Sequence, residues 1–237
     1  MKKIIIILLA AISFVSCKKN NDDITANPAD ISNKVKKSIY GSGSTTYVYD
    51  GMGRVKTQTY MNGSRTEFEY QPGKVLEKTY DPAGLLTLTY TYELNANGFA
   101  EKETRSNEPS FQEIRVYNND GQVQKFTVLQ NGSSSTGDFF YSNGNCDSAR
   151  YSTNGNWNST VKKTYYTDKP NMLGYEQFGE SFWGKKNKNL QKSEQYFYTD
   201  GSAGNLESYS YEFDAKGRVT KQTSVVDNDI YITFLSY

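Results

Sequence analysis

The sequence predicts an all-β fold: an antiparallel meander of repeated hairpins forming a curled sheet or an open to partly closed barrel-like structure. Three observations predict it. Aromatic residues recur as i, i+2 pairs, the pairs return at near-constant intervals, and each is followed by a glycine-bearing turn. A spacing of two puts both rings on one face of a strand and the intervening residue on the other.

The first segment is not part of this fold. Lys2 and Lys3 precede an apolar run from Ile4 to Val15, too short to span a bilayer, which needs about 20 residues. Residues 1–16 read as a signal peptide. Phe14-Val15-Ser16-Cys17 resembles the lipobox of bacterial lipoproteins, in which a small residue precedes the cysteine that is diacylated before cleavage. The resemblance implies lipidation of Cys17 and a membrane partner held through that lipid. Residues 17–38 follow as the lipidated N-terminus and a flexible tether, since Lys18 to Asn33 is polar, lacks aromatic residues and cannot bury enough apolar surface to order itself. Lys18-Lys19-Asn20-Asn21-Asp22-Asp23 is similar to the acidic signal that sends Bacteroidetes-type lipoproteins to the cell surface. The expected location is therefore the cell envelope, as an outer-membrane lipoprotein on its periplasmic or cell-surface side.

Residues 39–237 have one composition and no second linker, and are expected to form one β-domain. Tyr47 with Tyr49, Phe68 with Tyr70, Tyr90 with Tyr92, and Phe139 with Tyr141 are the aromatic pairs. Tyr49, Tyr70, Tyr92, Tyr117, Tyr141 and Tyr165 lie 21, 22, 25, 24 and 24 residues apart, an internal repeat. In Asp50-Gly51-Met52-Gly53 the aspartate can accept backbone N–H groups, and the last glycine supplies positive φ. Asp214-Ala215-Lys216-Gly217 repeats this, and Asn95-Ala96-Asn97-Gly98 and Asn118-Asn119-Asp120-Gly121 vary it. Return segments such as Val55 to Tyr60 and Gln124 to Leu129 are rich in Thr, Tyr and Val and lack sustained helical periodicity. About a dozen strands follow.

Tyr47-Val48-Tyr49-Asp50-Gly51-Met52-Gly53-Arg54-Val55 and Tyr211-Glu212-Phe213-Asp214-Ala215-Lys216-Gly217-Arg218-Val219 resemble the YD repeat of Rhs proteins, with Asp50, Gly53, Arg54, Asp214, Gly217 and Arg218 as its turn residues. Intermediate units such as Phe68-Glu69-Tyr70-Gln71-Pro72-Gly73-Lys74-Val75 lose the Asp or the Arg. The layout as a whole is similar to Bacteroidetes lipoproteins of unknown function with a porin-like curled sheet, a resemblance that implies no activity. The toxin-enclosing shell of Rhs proteins needs many more strands than this chain has, so that role does not carry over.

One segment interrupts the pattern. An irregular or short helical insert is expected near 168–189, opened by Asp168-Lys169-Pro170-Asn171 and carrying Met172, Leu173, Tyr175, Phe178, Phe182 and Trp183; Gly174, Gly179 and Gly184 oppose a stable helix. Its apolar side chains can cover the aromatic face of the sheet. Alternatively the insert is a movable lid in which Tyr175, Phe178, Phe182 and Trp183 bind a glycan, peptide or lipid. The tyrosine stripes pose the same alternative of core or binding surface, and their hydroxyls need partners in either case.

Catalysis finds little support. The chain has no histidine, which removes Ser-His-Asp and Cys-His systems and histidine metal sites. No catalytic, metal or cofactor residue is assigned. Glu67 with Glu69, Glu101 with Glu103, and Glu176 with Glu180 read as solvated charge, and Asp227-Asn228-Asp229 as a hairpin turn. Cys146 reads as a buried, inert thiol. Asp147-Ser148-Ala149 resembles the short O-glycosylation site of exported Bacteroidetes-type proteins, which implies a surface position for Ser148. With Lys2 and Lys3 removed, 25 basic residues face 26 acidic ones, so no bulk charge attracts nucleic acid.

The function expected is a membrane-anchored, exported lipoprotein with a non-catalytic binding or scaffolding β-domain, with a glycan, a peptide or an envelope protein as candidate partners. A carbohydrate-active or other enzyme using carboxylates is one alternative. An outer-membrane β-barrel is another, opposed by segments such as Val55 to Met61 that carry polar side chains on both faces. Cys17→Ser is expected to move the protein from the membrane fraction to a detergent-free soluble fraction. A variant that still needs detergent would instead support a lipid-embedded barrel.

Overall fold

The computed structural model describes residues 30–237. The signal peptide, Cys17 and the tether as far as residue 29 lie outside the described residues.

Sixteen strands follow one another: β1 (Lys37–Tyr40), β2 (Gly43–Tyr49), β3 (Val55–Tyr60), β4 (Arg65–Gln71), β5 (Lys74–Tyr80) and β6 (Leu86–Leu94). Next come β7 (Ala100–Arg105), β8 (Glu108–Tyr117), β9 (Val123–Gln130), β10 (Ser133–Ser142) and β11 (Asn145–Thr153). The last five are β12 (Asn156–Pro170), β13 (Asn189–Tyr198), β14 (Ala203–Phe213), β15 (Val219–Val226) and β16 (Asp229–Ser236). Each pairs antiparallel with its sequence neighbours, and β1 pairs with β16 from Lys37↔Ser236 to Tyr40↔Thr233, closing the barrel. Closure leaves no free edge in the sheet.

The meander expected from sequence is present, with more strands and fuller closure. Strands such as β7, Ala-Glu-Lys-Glu-Thr-Arg, carry no aromatic pair and are invisible to aromatic spacing. The domain also begins before residue 39: Val35 is fully buried, and its N–H donates to the Gln177 carbonyl at 3.0 Å. The insert is shorter than expected at both ends, because β12 runs through Pro170 and β13 starts at Asn189. It contains two short 3-10 turns, Tyr175–Phe178 and Ser181–Trp183.

The recurring tyrosine has a specific structural task. Tyr70 donates its hydroxyl to the Val55 carbonyl at 2.9 Å, Tyr117 to Ala100 at 2.8 Å, Tyr141 to Val123 at 2.8 Å and Tyr165 to Cys146 at 2.8 Å. Tyr211 donates to Gln191 at 2.9 Å, Tyr237 to Val219 at 3.0 Å, and Tyr49 to Val35. In each case the acceptor lies two residues beyond the last ladder pair of that hairpin, such as Thr57↔Glu67 for Val55 or Lys102↔Ile114 for Ala100. Where the two legs diverge, the hydroxyl takes over a carbonyl that the ladder leaves free. Between β5 and β6 the ladder continues to Lys74↔Glu93, and there Tyr92 bonds the Glu77 carboxylate instead, at 2.7 Å.

β-Bulges accompany the repeat and change which face a residue occupies. Between Glu93↔Lys102 and Leu94↔Ala100 the register skips Glu101. Glu101 is therefore exposed although Glu103, two residues on, is buried at 4 % exposure. Solvated charge, expected for both, holds only for Glu101.

Tyr117→Phe and Tyr211→Phe are each expected to cost about 1–2 kcal/mol, by orphaning a buried carbonyl, whereas Tyr40→Phe, at a ring 55 % exposed, changes little. Urea unfolding checks this. Equal small effects at all three positions would remove the role assigned to the hydroxyls.

Candidate functional site

One end of the barrel carries only short hairpin turns. The other carries the turns that begin at Asp50, Asn95, Asn118 and Asp214, both ends of the described chain, and the insert between β12 and β13. Turn residues are held locally at that second end. Asp50 Oδ1 accepts from the Met52 and Arg54 N–H groups, both at 2.9 Å, and its Oδ2 from Arg54 Nε at 2.7 Å. Asp214 holds Lys216 and Arg218 in the same way. Gly53 and Gly217 take positive φ. The guanidinium groups continue onto the tyrosine of a neighbouring unit, Arg54 at 4.1 Å from the Tyr70 ring and Arg218 at 4.5 Å from Tyr237.

The insert plugs this end. Its backbone accepts from Val55 N–H at Gly179 (2.9 Å) and donates from Lys185 to Gly121 (2.8 Å) and from Lys188 to Gly144 (2.9 Å). Asn187 Oδ1 accepts from the Cys146 N–H at 2.8 Å. A Cβ at Gly179 would lie 2.5 Å from Val55 N, and one at Gly184 2.6 Å from the Gly121 carbonyl oxygen, so only glycine permits this approach. Phe182 packs with Val55, Phe68, Val75 and Tyr92 in one core cluster, while Met172, Leu173 and Phe178 pack against Val35, Leu190, Val219 and Leu235 in another. The segment spans both lobes.

Of the four aromatics proposed for binding, Phe182 is buried at 5 % exposure and Phe178 packs on Tyr47, with ring centroids 5.6 Å apart. Tyr175 and Trp183 instead border a cavity of about 530 Å³ in the lumen, directly above the plug. Phe126, Phe139 and Tyr141 also line it, together with Arg115, Lys163 and Lys186. Arg115 is 9 % exposed; its Nη2 contacts Glu103 at 2.8 Å and Glu113 at 2.7 Å, and its guanidinium lies 4.2 Å from the Trp183 ring centroid. Lys163 pairs with Glu194 at 3.2 Å. Cys146 lines the same cavity, but burial pushes its thiol up and its Sγ bonds the Ser148 carbonyl at 3.2 Å. Ser148 sits within β11, opposite Phe140 and Lys162. Asp227 and Asn228 form the β15–β16 turn with positive φ.

Sequence reasoning missed a buried acid on the plug. Burial pushes the Glu180 carboxyl up to about 7, and nearby Glu77 pushes the same way, against a hydrogen bond from Gln58 Nε2 at 2.6 Å. Glu77 is itself raised by burial. Neither is among the residues lining the 530 Å³ cavity. Glu67 and Glu69 belong to ion pairs with Arg65 and Lys78, and Glu176 is exposed. Among the described residues no cluster of three or more acids, cysteines or histidines is placed to hold a metal ion.

The Glu180 shift sets a pH dependence. The unfolded carboxyl ionises near 4.5 and the folded one near 7, so the folded chain holds the extra proton in between. Stability therefore falls as pH rises across that window. Glu180→Gln is expected to match the wild-type Tm at pH 5 and exceed it at pH 8, in thermal scans at the two pH values. An equal offset at both would show that Glu180 ionisation is not the cause.

No family model matches the chain, and no curated protein does. Solved structures do. A porin-like protein from Bacteroides uniformis aligns at a TM-score of 0.62 with 18 % identity, covering 85 % of this chain and 97 % of that one. A porin-like protein from Bacteroides vulgatus aligns at 0.59 with 13 % identity, covering 86 % and 98 %. At such identities the likeness is one of fold: the chain shares the β-barrel architecture of these Bacteroides proteins.

Proposed function

We propose that this chain is an exported, lipid-anchored, non-catalytic barrel that admits a small ligand through its open end into the cavity above the plug. The cavity carries the proposal: its volume falls within the ~300–1,000 Å³ of small-molecule sites, and it combines aromatic walls with a few charged groups. Short hairpin turns at the far end are too small to cover the mouth of a sixteen-stranded barrel, a size at which porins retain a channel. The insert is read as a fixed floor, because backbone hydrogen bonds hold it to strand starts on several sides.

Anchoring rests on the lipobox-like residues around Cys17. The described chain enters at the plugged end, where the Val35 N–H meets Gln177, so a lipid on Cys17 would hold that end toward the membrane and leave the mouth facing away. The YD-like units at Tyr47–Val55 and Tyr211–Val219 serve as the repeating element of the barrel wall.

The strands expose apolar side chains such as Val48, Leu86, Ile114, Val116, Phe140 and Phe234, but the charges among them favour water over lipid. Pairs such as Lys125–Asp138, Glu69–Lys78 and Glu93–Lys102 are well exposed there, and Arg150 and Lys162 are exposed within their strands. A lipid-spanning barrel requires an apolar band about 25 Å tall. An enzymatic reading would need its perturbed carboxylates at a substrate cavity, and Glu77 and Glu180 are instead engaged with Tyr92 and Gln58.

Trp157 is 43 % exposed, so Trp157→Phe leaves Trp183 as the sole tryptophan reporter. Acrylamide is expected to quench Trp183 in the native protein. Native fluorescence that acrylamide leaves unchanged, with normal quenching after unfolding, would mean a sealed lumen and would overturn the reading.

A further inference from the structure

The cavity has a charge character that narrows its ligand. Its cations are Arg115, Lys163, Lys185 and Lys186. Arg115 is engaged by Glu103 and Glu113, and Lys163 by Glu194. Lys185 and Lys186 make no ion pair among the described residues, and both lie on the plug, whose backbone is pinned beside them by the Lys185–Gly121 hydrogen bond at 2.8 Å. Lys186 also borders two further cavities of about 300 and 290 Å³ and is exposed, so its ammonium group, over the Tyr175 ring at 4.6 Å, has open space around it. Burial draws Lys186 below the usual lysine range and the nearby Glu180 and Glu176 oppose this only in part; a bound anion would supply the missing counter-charge.

Aromatic rings line the same cavity. Phe126 and Phe139 lie 5.9 Å apart between ring centroids, with Tyr151 6.3 Å from each. Phe126 is held against Gly137, where a Cβ would come within 2.4 Å of its ring. Trp183, by contrast, is surrounded by Arg115, Tyr92 and Phe182, which leaves it as floor and reporter more than as stacking platform. Two ammonium groups without a carboxylate partner, Lys186 lying 4.6 Å from the Tyr175 ring centroid, share one cavity with fixed aromatic rings, a combination that matches a molecule with an anionic group and an apolar ring face.

We propose that the lumen cavity binds a small ring-bearing carboxylate, with its carboxylate at Lys185 and Lys186 and its ring against Phe126 and Phe139. Aromatic acids and acidic sugars share this chemistry. The proposal rests on the lumen-binding reading above and deepens it.

The test uses the Trp157→Phe protein and three small quenchers. Acrylamide, being neutral, reports whether the lumen is open. With each ion's quenching normalised to that of free N-acetyltryptophanamide, iodide is expected to quench Trp183 at least about threefold more strongly than caesium, because a cation-lined recess concentrates anions; equal normalised quenching by the two ions overturns the charge argument while leaving an open lumen intact. Binding is then read from Trp183 emission with 4-hydroxybenzoate against 4-hydroxybenzyl alcohol, and with glucuronate against glucose. Saturable response to either acid and not to its neutral partner supports the proposal and identifies the source of the carboxylate. Equal response to acid and neutral partner, or response to neither acid, overturns it. The double substitution Lys185→Gln and Lys186→Gln should reduce affinity for the responding acid at least about tenfold with the thermal transition retained. A double variant that binds as tightly as the parent also overturns the assignment. If acrylamide fails to reach Trp183, the lumen-binding reading falls first.

Discussion

The barrel depends on a tyrosine hydroxyl reaching a carbonyl that the β-ladder has abandoned. Apart from β5–β6, the hairpins are paired near their turns, and their legs part at the plugged end as each turns to its other neighbour. That parting would leave a buried carbonyl without a partner at Val55, Ala100, Val123, Cys146, Gln191 and Val219, and an unpaired buried carbonyl costs on the order of 1–3 kcal/mol. Phenylalanine could supply the same packing and not the bond. The requirement explains why tyrosine recurs at this site, and the β5–β6 hairpin supports it from the other direction, since a ladder that stays paired to Lys74↔Glu93 sends the Tyr92 hydroxyl to a side chain.

The plug answers the matching problem on the donor side. The N–H groups of Val35, just before β1, of Val55, at the start of β3, and of Cys146, near the start of β11, donate to Gln177, Gly179 and Asn187 oxygens of the insert. Tyrosines thus satisfy carbonyls, and the plug satisfies N–H groups, at that end, while Gln177 Oε1 on the plug and Arg115 Nη1 stay buried without a hydrogen-bond partner. The insert also joins two separate apolar clusters, through Phe182 on one side and Phe178 on the other. It acts as a wedge whose removal would unsettle both lobes, which argues for a permanent floor.

Legibility in the sequence followed periodicity. The i, i+2 aromatic pairs and the Asp-x-x-Gly turns are local signals, and they were enough for the all-β meander and for the turn chemistry at Asp50 and Asp214. The bulges were not legible, because a skipped residue such as Glu101 depends on the pairing of β6 with β7 and leaves no mark in composition. Without them the side assignment of Glu103 comes out wrong. The site was legible only in part. Apolar residues at 172–183 pointed to a cover over the aromatic face, but which of them would be buried and which would face a cavity depends on the contacts of Phe182 with Phe68, Tyr70 and Tyr92, all distant in sequence. Arg115 gave no signal, since an arginine between Ile114 and Val116 on a strand reads as an ordinary outward charge.

The strands expose apolar side chains such as Val48, Ile114, Val116, Phe140 and Phe234 beside exposed ion pairs, while the buried apolar clusters gather at the plugged end. Charged groups are then tolerated inside because each is held: Arg115 between two glutamates and an indole, Lys163 against Glu194. A buried charge so engaged is expensive to unpair, so these groups are fixed parts of the wall. Lys185 and Lys186 differ in having no carboxylate ion pair among the described residues, with Lys186 resting 4.6 Å from the Tyr175 ring centroid on a segment pinned by backbone hydrogen bonds, and that difference from their paired neighbours is the basis on which the cavity is proposed as a site.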